Sequence, residues 1–188
     1  MNKLLLSTAL AAIVGVASLA PQAASAADGT ITINGQITSA TCTININGLG
    51  ASPTITLPTV QTSDFTASGT AAGYTAVTIA LSNCAAGSGT PAVTKVLPYF
   101  EQGLNTDLAN GYLKNTGTAT NVEVMLSNSA STASKVNLAA ASGAQNAGTA
   151  ALISGNPSFT YYASYISTAA SVTAGTVSST VQYSLNYQ

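Results

Sequence analysis

Apolar side chains fall on every second residue in short runs along most of this chain, and that period belongs to strands rather than helices. The run Thr30–Thr38 (TITINGQIT) sets Ile31, Ile33 and Ile37 on one face, with Gly35 completing the alternation. Thr41–Asn47 (TCTININ) and Ile55–Leu57 follow, then Thr75–Cys84 (TAVTIALSNC) with Val77, Ile79 and Leu81. Val93–Glu101 predicts a strand bent or ended near Pro98, because proline cannot donate to a ladder. Asn121–Ser127 aligns Val122, Val124 and Leu126, and Val136–Leu138 reads as a short strand. Phe159–Ile166 (FTYYASYI) is apolar on both faces, as a central strand can be, and Ser179–Tyr187 (STVQYSLNY) alternates again. Glycine, proline, asparagine and serine punctuate these runs, which predicts one all-β domain built as a sandwich. The Ala-, Gly- and Ser-rich stretches Ser63–Gly73 and Ala139–Ala151 read as surface loops, the second with room for a helical turn.

Composition excludes most chemistry. Charged residues are 5% of the chain, against about 25% in ordinary soluble domains, and there is no histidine. A formal charge of −1 with no arginine leaves no electrostatic footprint for nucleic acid. Serine catalysis lacks its base. The acids Asp28, Asp64, Glu101, Asp107 and Glu123 are scattered, without the paired spacing a glycosidase needs. No enzyme activity, metal site or cofactor is expected. The cluster Tyr161, Tyr162 and Tyr165 fits either a carbohydrate platform or strand packing, and aromatic residues in strands more often pack.

Residues 1–26 have the layout of a secretory signal: Lys3, an apolar run from Leu4 to Ala20, then Ala24-Ser25-Ala26 as a cleavage site. An uncleaved membrane anchor is the competing reading, and Pro21 with the cleavage motif behind it argues against that. No second apolar stretch is long enough to span a bilayer, so no membrane insertion is expected of the mature chain. In an oxidising compartment Cys42 and Cys84 are expected to pair as a structural disulfide. A metal site from the same cysteines would lack two further ligands.

The two outermost alternating runs sit at the ends of the processed chain, where segments fray unless something holds them. Exposed, three isoleucines in extended backbone would make an adhesive edge. Taken in order, these features resemble subunits of type 1-like fimbriae assembled by the chaperone–usher route. The resemblance rests on Ile31, Ile33, Gly35 and Ile37 ahead of Cys42, and on Cys84 closing the strand ALSNC. It extends to Gly175, fourteenth from the end, and to the alternating last strand with its penultimate Tyr187.

That resemblance implies an immunoglobulin-like sandwich of six strands lacking the seventh, with a groove exposing core. It implies residues 27–38 as an N-terminal donor strand and 39–188 as the pilin domain. Ile31, Ile33 and Ile37 would fill groove pockets of a neighbouring copy in a homopolymer, and Gly35 would lie over a shallow one. Val181, Tyr183, Leu185 and Tyr187 would flank the groove, and Gly175 and the Gln188 carboxylate would meet a periplasmic chaperone before an outer-membrane usher releases the subunit. The segment before Cys42 is short, which leaves Ala27 or Gly29 for the outermost pocket. The implied product is a surface fimbria reached through the periplasm and serving adhesion. A secreted carbohydrate-binding sandwich is the alternative.

Overall fold

The computed structural model describes residues 31–85, 92–152 and 156–188. The expected signal segment, 1–26, and the start of the donor segment lie outside them. The chain divides into two units, Met1–Gly35 and Gln36–Gln188. In the first, Ile31–Gly35 join no ladder and are exposed.

Among the described residues, the second unit holds seven strands: β1 Thr41–Ile46, β2 Ala71–Ala85, β3 Lys95–Phe100, β4 Val122–Ser127, β5 Ala150–Ala151, β6 Ser158–Ser167 and β7 Tyr183–Tyr187. They form a four-stranded sheet, β1-β2-β6-β4, and a three-stranded sheet, β5-β3-β7. Each of these pairings is antiparallel. Cys42 and Cys84 are joined across β1 and β2, with Cα atoms 4.1 Å apart.

The alternation places the core where the sequence predicts it. Ile79 and Leu81 of β2, Val96 and Phe100 of β3, Leu126 of β4 and Phe159 and Tyr161 of β6 pack into one cluster. Tyr161 is fully buried, edge-on to Phe100 with ring centroids 5.1 Å apart. Its phenol donates to the Ala147 carbonyl at 2.6 Å, as a buried hydroxyl requires. Burial pushes that phenol well above the usual tyrosine range. Tyr162 and Tyr165 lie half-buried. Tyr162 therefore points away from the face of Tyr161 and Tyr165, because neighbouring strand residues point to opposite faces, and the three form no common platform.

Three local expectations differ from the structure. Ile55–Leu57 packs on the core with Ile55 and Leu57 half-buried but joins no ladder. Val136 and Leu138 are fully buried, yet their stretch makes only isolated backbone bonds, such as Val136 to Leu126 at 2.8 Å. The stretch 139–151 forms turns and then β5, with no helical turn, and β5 pairs with Lys95 and Val96 only. Further along β3, the buried Gln145 side chain replaces a strand: it accepts from the Phe100 amide at 2.9 Å and donates to the Phe100 carbonyl at 2.7 Å. A side-chain amide carries both partners that a backbone unit offers, so β3 stays satisfied where β5 stops.

The last strand begins at Tyr183 rather than Ser179 because the preceding residues are engaged elsewhere. Residues 173–178 run beside 116–120 in a ribbon held largely by threonine and asparagine side chains. Thr116 donates to Ser178, Ala119 to Thr176, and the hydroxyls of Thr118 and Thr176 and of Thr120 and Thr173 meet at 3.2 and 3.0 Å. Gly117 and Gly175 let the two backbones touch. A Cβ on Gly175 would lie 2.5 Å from the Ala119 amide nitrogen, and one on Gly117 would collide with the Thr176 carbonyl.

Candidate assembly groove

A closed sandwich buries the inward rows of its strands, and here those of β1 and β7 stay largely half-buried. In β7 the inward residues Tyr183, Leu185 and Tyr187, with Val181 just before them, pack on the core but stay half-buried. In β1 the inward Cys42 and Ile44 are likewise half-buried, and only Ile46 closes over. Among the described residues each strand is the edge of its sheet, β1 bonded to β2 alone and β7 to β3 alone. One edge of each therefore has no strand beside it.

Two tyrosines tie these edges together. The Tyr183 phenol donates to the Ala51 carbonyl at 2.8 Å, just beyond the end of β1. The Tyr187 phenol lies near the Cys42 backbone, at the start of β1. Burial raises both phenols above the ordinary tyrosine range, and the Cys42 backbone opposes that rise at Tyr187. Side chains from β7 thus approach β1 near both ends, with the half-buried apolar rows of the two strands between them. The outward residues of β7 are polar and satisfied: Ser184 donates to Glu101 at 2.7 Å and Asn186 to Ser142 at 2.6 Å. At the chain end, Thr94 and Lys95 both donate to the Gln188 carbonyl oxygen at 2.7 Å, which aligns β7 along β3 to its last residue.

Of the other residues singled out in the sequence, Ile31, Ile33 and Ile37 are 90%, 89% and 97% exposed. Nothing lies within 4 Å of a Cβ built on Gly35. Gly175 sits in the threonine ribbon, eight residues before β7 begins, so it shapes the approach to the last strand rather than its edge. No signal in the sequence points to Gln145 or Gly117, because neither belongs to an alternating run. Among the described residues, no group of three or more histidine, cysteine, aspartate or glutamate side chains could hold a metal, and no helix is long and apolar enough to cross a membrane.

A β-sandwich half-covered along β1 and β7, in a chain that also carries an exposed alternating apolar segment, fits the class of subunits that assemble through strands. The type-1 fimbrial protein A family matches residues 57–188, and the chain belongs to it. The chain is 38% identical over 182 residues to the F17 fimbrial protein of Escherichia coli, covering 94% of this chain and 97% of that one. It is 39% identical over 173 residues to the major fimbrial subunit SMF-1 of Stenotrophomonas maltophilia, covering 89% and 97%. In fold it resembles a subunit from a chaperone–usher pilus structure, with TM-score 0.60 and 23% identity over 90% of this chain and all of that one. It also resembles the P pilus rod subunit PapA, with TM-score 0.59 and 19% identity over 78% and 99%. The protein is a structural subunit of a fimbria, and its relatives are components of fimbriae rather than enzymes.

Proposed function

We propose that this subunit polymerises by laying Ile31, Ile33, Gly35 and Ile37 of one copy into the groove between β1 and β7 of the next. The observation that carries this reading is a match of two apolar rows. The donor row runs from residue 31 to 37 and the groove row from Val181 to Tyr187, four alternate positions each, or about 20 Å at the rise of a strand. Isoleucine burial contributes roughly 1.5–3 kcal/mol per side chain before the cost of association, and backbone bonds to the open edges add to it. Gly35, having no side chain, suits a position where the groove is shallow. Strand addition of this kind is already established for pilins as donor-strand complementation, so the mode itself is not a new one.

On this reading residues 1–26 are removed on export, 27–38 are the donor strand and 39–188 the pilin domain. A periplasmic chaperone covers the groove edge, Val181 to Gln188 with the Gly175 approach, until an outer-membrane usher passes the subunit to the next. The role is mechanical and uses no catalytic group, metal or cofactor. Burial of Tyr161 in the core counts against the carbohydrate-binding alternative. The test is Ile33→Asp in the full chain, expressed with its secretion machinery. Soluble subunit with no fimbriae is the expected result, since a carboxylate in an apolar pocket is not tolerated unpaired. Fimbriae of normal number and length would remove the donor role.

A further inference from the structure

Asparagine stands directly before glycine at Asn34–Gly35, Asn47–Gly48 and Asn110–Gly111. That step is chemically labile, because glycine has no Cβ to keep its amide nitrogen away from the carboxamide before it. The nitrogen closes on the asparagine Cγ as a five-membered ring only where both groups are free and the backbone can turn to bring them together. The structure sets these steps apart. Asn47 is exposed, yet its side chain is held at both ends: Nδ2 donates to the Ala76 carbonyl at 2.9 Å and Oδ1 accepts from the Thr78 amide at 2.8 Å. Its backbone and that of Gly48 are fixed in a turn, with φ of 51° and 79°. Asn110 is held likewise, donating to Glu123 at 3.2 Å and accepting from the Tyr112 amide at 3.1 Å. There the nucleophile is engaged too, since the Gly111 amide donates to the Asp107 carbonyl at 2.8 Å. Asn34 has none of these restraints. It is exposed in a stretch that joins no ladder, and its side chain makes no hydrogen bond with another described residue. The space where Gly35 lacks a Cβ is empty to 4 Å.

We propose that Asn34–Gly35 is a self-modification site that ages the unassembled subunit, converting Asn34 to isoaspartate and so ending the segment's use as a donor. The Gly35 amide nitrogen gives up its proton to solvent base and attacks Asn34 Cγ. The Cγ–Nδ2 bond breaks, and the leaving nitrogen takes a proton from water and departs as ammonia. Water then opens the succinimide ring that has formed. Addition at the main-chain carbonyl leaves a free α-carboxylate and a chain that continues through Cβ and Cγ, which is isoaspartate; addition at Cγ gives ordinary aspartate. Water is the one co-reactant.

The consequence for assembly rests on the donor-strand reading above. Isoaspartate adds one carbon–carbon bond, about 1.5 Å, to the backbone between Ile33 and Gly35. A strand keeps its side chains in step only through an unbroken period of two, so Ile31 and Ile33 can no longer seat together with Ile37. The new carboxylate also puts a charge into residues 31–38, which carry none. In a filled groove the step is protected. A strand lying between two edges has its amides bonded and its backbone extended, so the Gly35 nitrogen is neither free nor turned toward Cγ. Polymerisation and ageing are then competing fates of one segment: a subunit used promptly is preserved, and one left over is retired.

The test incubates the unassembled subunit beside assembled fimbriae at one pH and temperature. Peptide mass spectrometry follows the amide-to-acid change at residues 34, 47 and 110, with fragmentation to tell isoaspartate from aspartate. In the unassembled subunit, conversion at residue 34 is expected at least tenfold faster than at 47 or 110, and at least tenfold faster than at residue 34 of fimbriae. Similar rates at all the steps, or equal rates at residue 34 in the two states, overturn the proposal. So does a subunit that gains isoaspartate at residue 34 and still assembles as well as a fresh one. Asn34→Gln keeps a neutral amide on the outward face but would have to close a six-membered ring, a far slower step. That variant is expected to assemble like the unmodified chain when fresh and to keep its competence through the same incubation; loss at the unmodified chain's rate overturns the proposal. Ile33→Asp tells the two readings apart. If it still forms fimbriae, the donor reading falls and takes the assembly consequence with it; if it forms none while residue 34 ages no faster than 47 and 110, only the ageing site falls.

Discussion

Ile33→Ala separates what the donor strand does for assembly from what it does for folding. Ile33 is nine-tenths exposed in the single subunit, so truncating it should change the subunit's own unfolding by no more than about 0.5 kcal/mol. Seated in a groove pocket, the same side chain would lose three buried carbons. At about 0.8 kcal/mol each that is about 2.4 kcal/mol, before any cavity left behind. At 1.36 kcal/mol per factor of ten, the loss corresponds to subunit release about 60-fold faster. The assay is paired: denaturant unfolding of the isolated subunit, and the rate at which preformed fimbriae shed subunits in the same denaturant. Thr32→Ala is the control, because residue 32 points away from the row of Ile31 and Ile33 and should leave release nearly unchanged. Equal effects of the two substitutions on release would refute the reasoning. So would an Ile33→Ala subunit destabilised on its own, since that would mean the isoleucine already belongs to the monomer's core.

The remaining predictions concern the sandwich itself. Breaking the Cys42–Cys84 bond, which closes a separation of 42 residues, should lower subunit stability by about 4 kcal/mol on the chain-entropy account, read from denaturant midpoints with and without reductant. Gly175→Ala should cost about 1–3 kcal/mol by driving the threonine ribbon off Ala119, whereas Gly35→Ala should leave the monomer's melting unmoved and weaken assembly alone. Gln145→Leu should destabilise by about 2–3 kcal/mol, because the buried Phe100 amide and carbonyl both lose their partner. Glu123 is held above the usual carboxylate range chiefly by burial, with Asp107 beside it adding and the Asn110 hydrogen bond opposing. The folded state then binds the proton more tightly than the unfolded one, so stability should fall as pH rises from the ordinary glutamate pKa through the raised one. Glu123→Gln should flatten that slope in thermal melts across the carboxylate range.

Much of the fold is legible in the linear chain. Period two locates β1, β2, β3, β4, β6 and β7, because which face a strand residue takes depends only on its parity along its own run. The same parity sorts the outer Ser184 and Asn186 from the inner Tyr183, Leu185 and Tyr187, and an export signal with two cysteines indicates the disulfide. The row of Ile31, Ile33 and Ile37, proposed as the donor, is visible for the same reason, as an alternating run.

What parity cannot supply is the partner. Ile55–Leu57 and Val136–Leu138 have strand-like composition, but no strand lies alongside them in register, and ladder bonds need a neighbour in space. Gln145 stands in for a missing stretch of β5 because β3 happens to run past it, a relation 45 residues long that no local pattern records. Gly175, grouped by sequence with the final strand, is a packing glycine, since its closest neighbour is a backbone 56 residues earlier. The tyrosine bridge from Tyr183 to Ala51 is equally non-local. Amino-acid order settled which residues face inward on each strand. Only the folded arrangement decided that two of those inward rows, on β1 and β7, would be left half-covered, because no further described strand of the same subunit pairs with either edge.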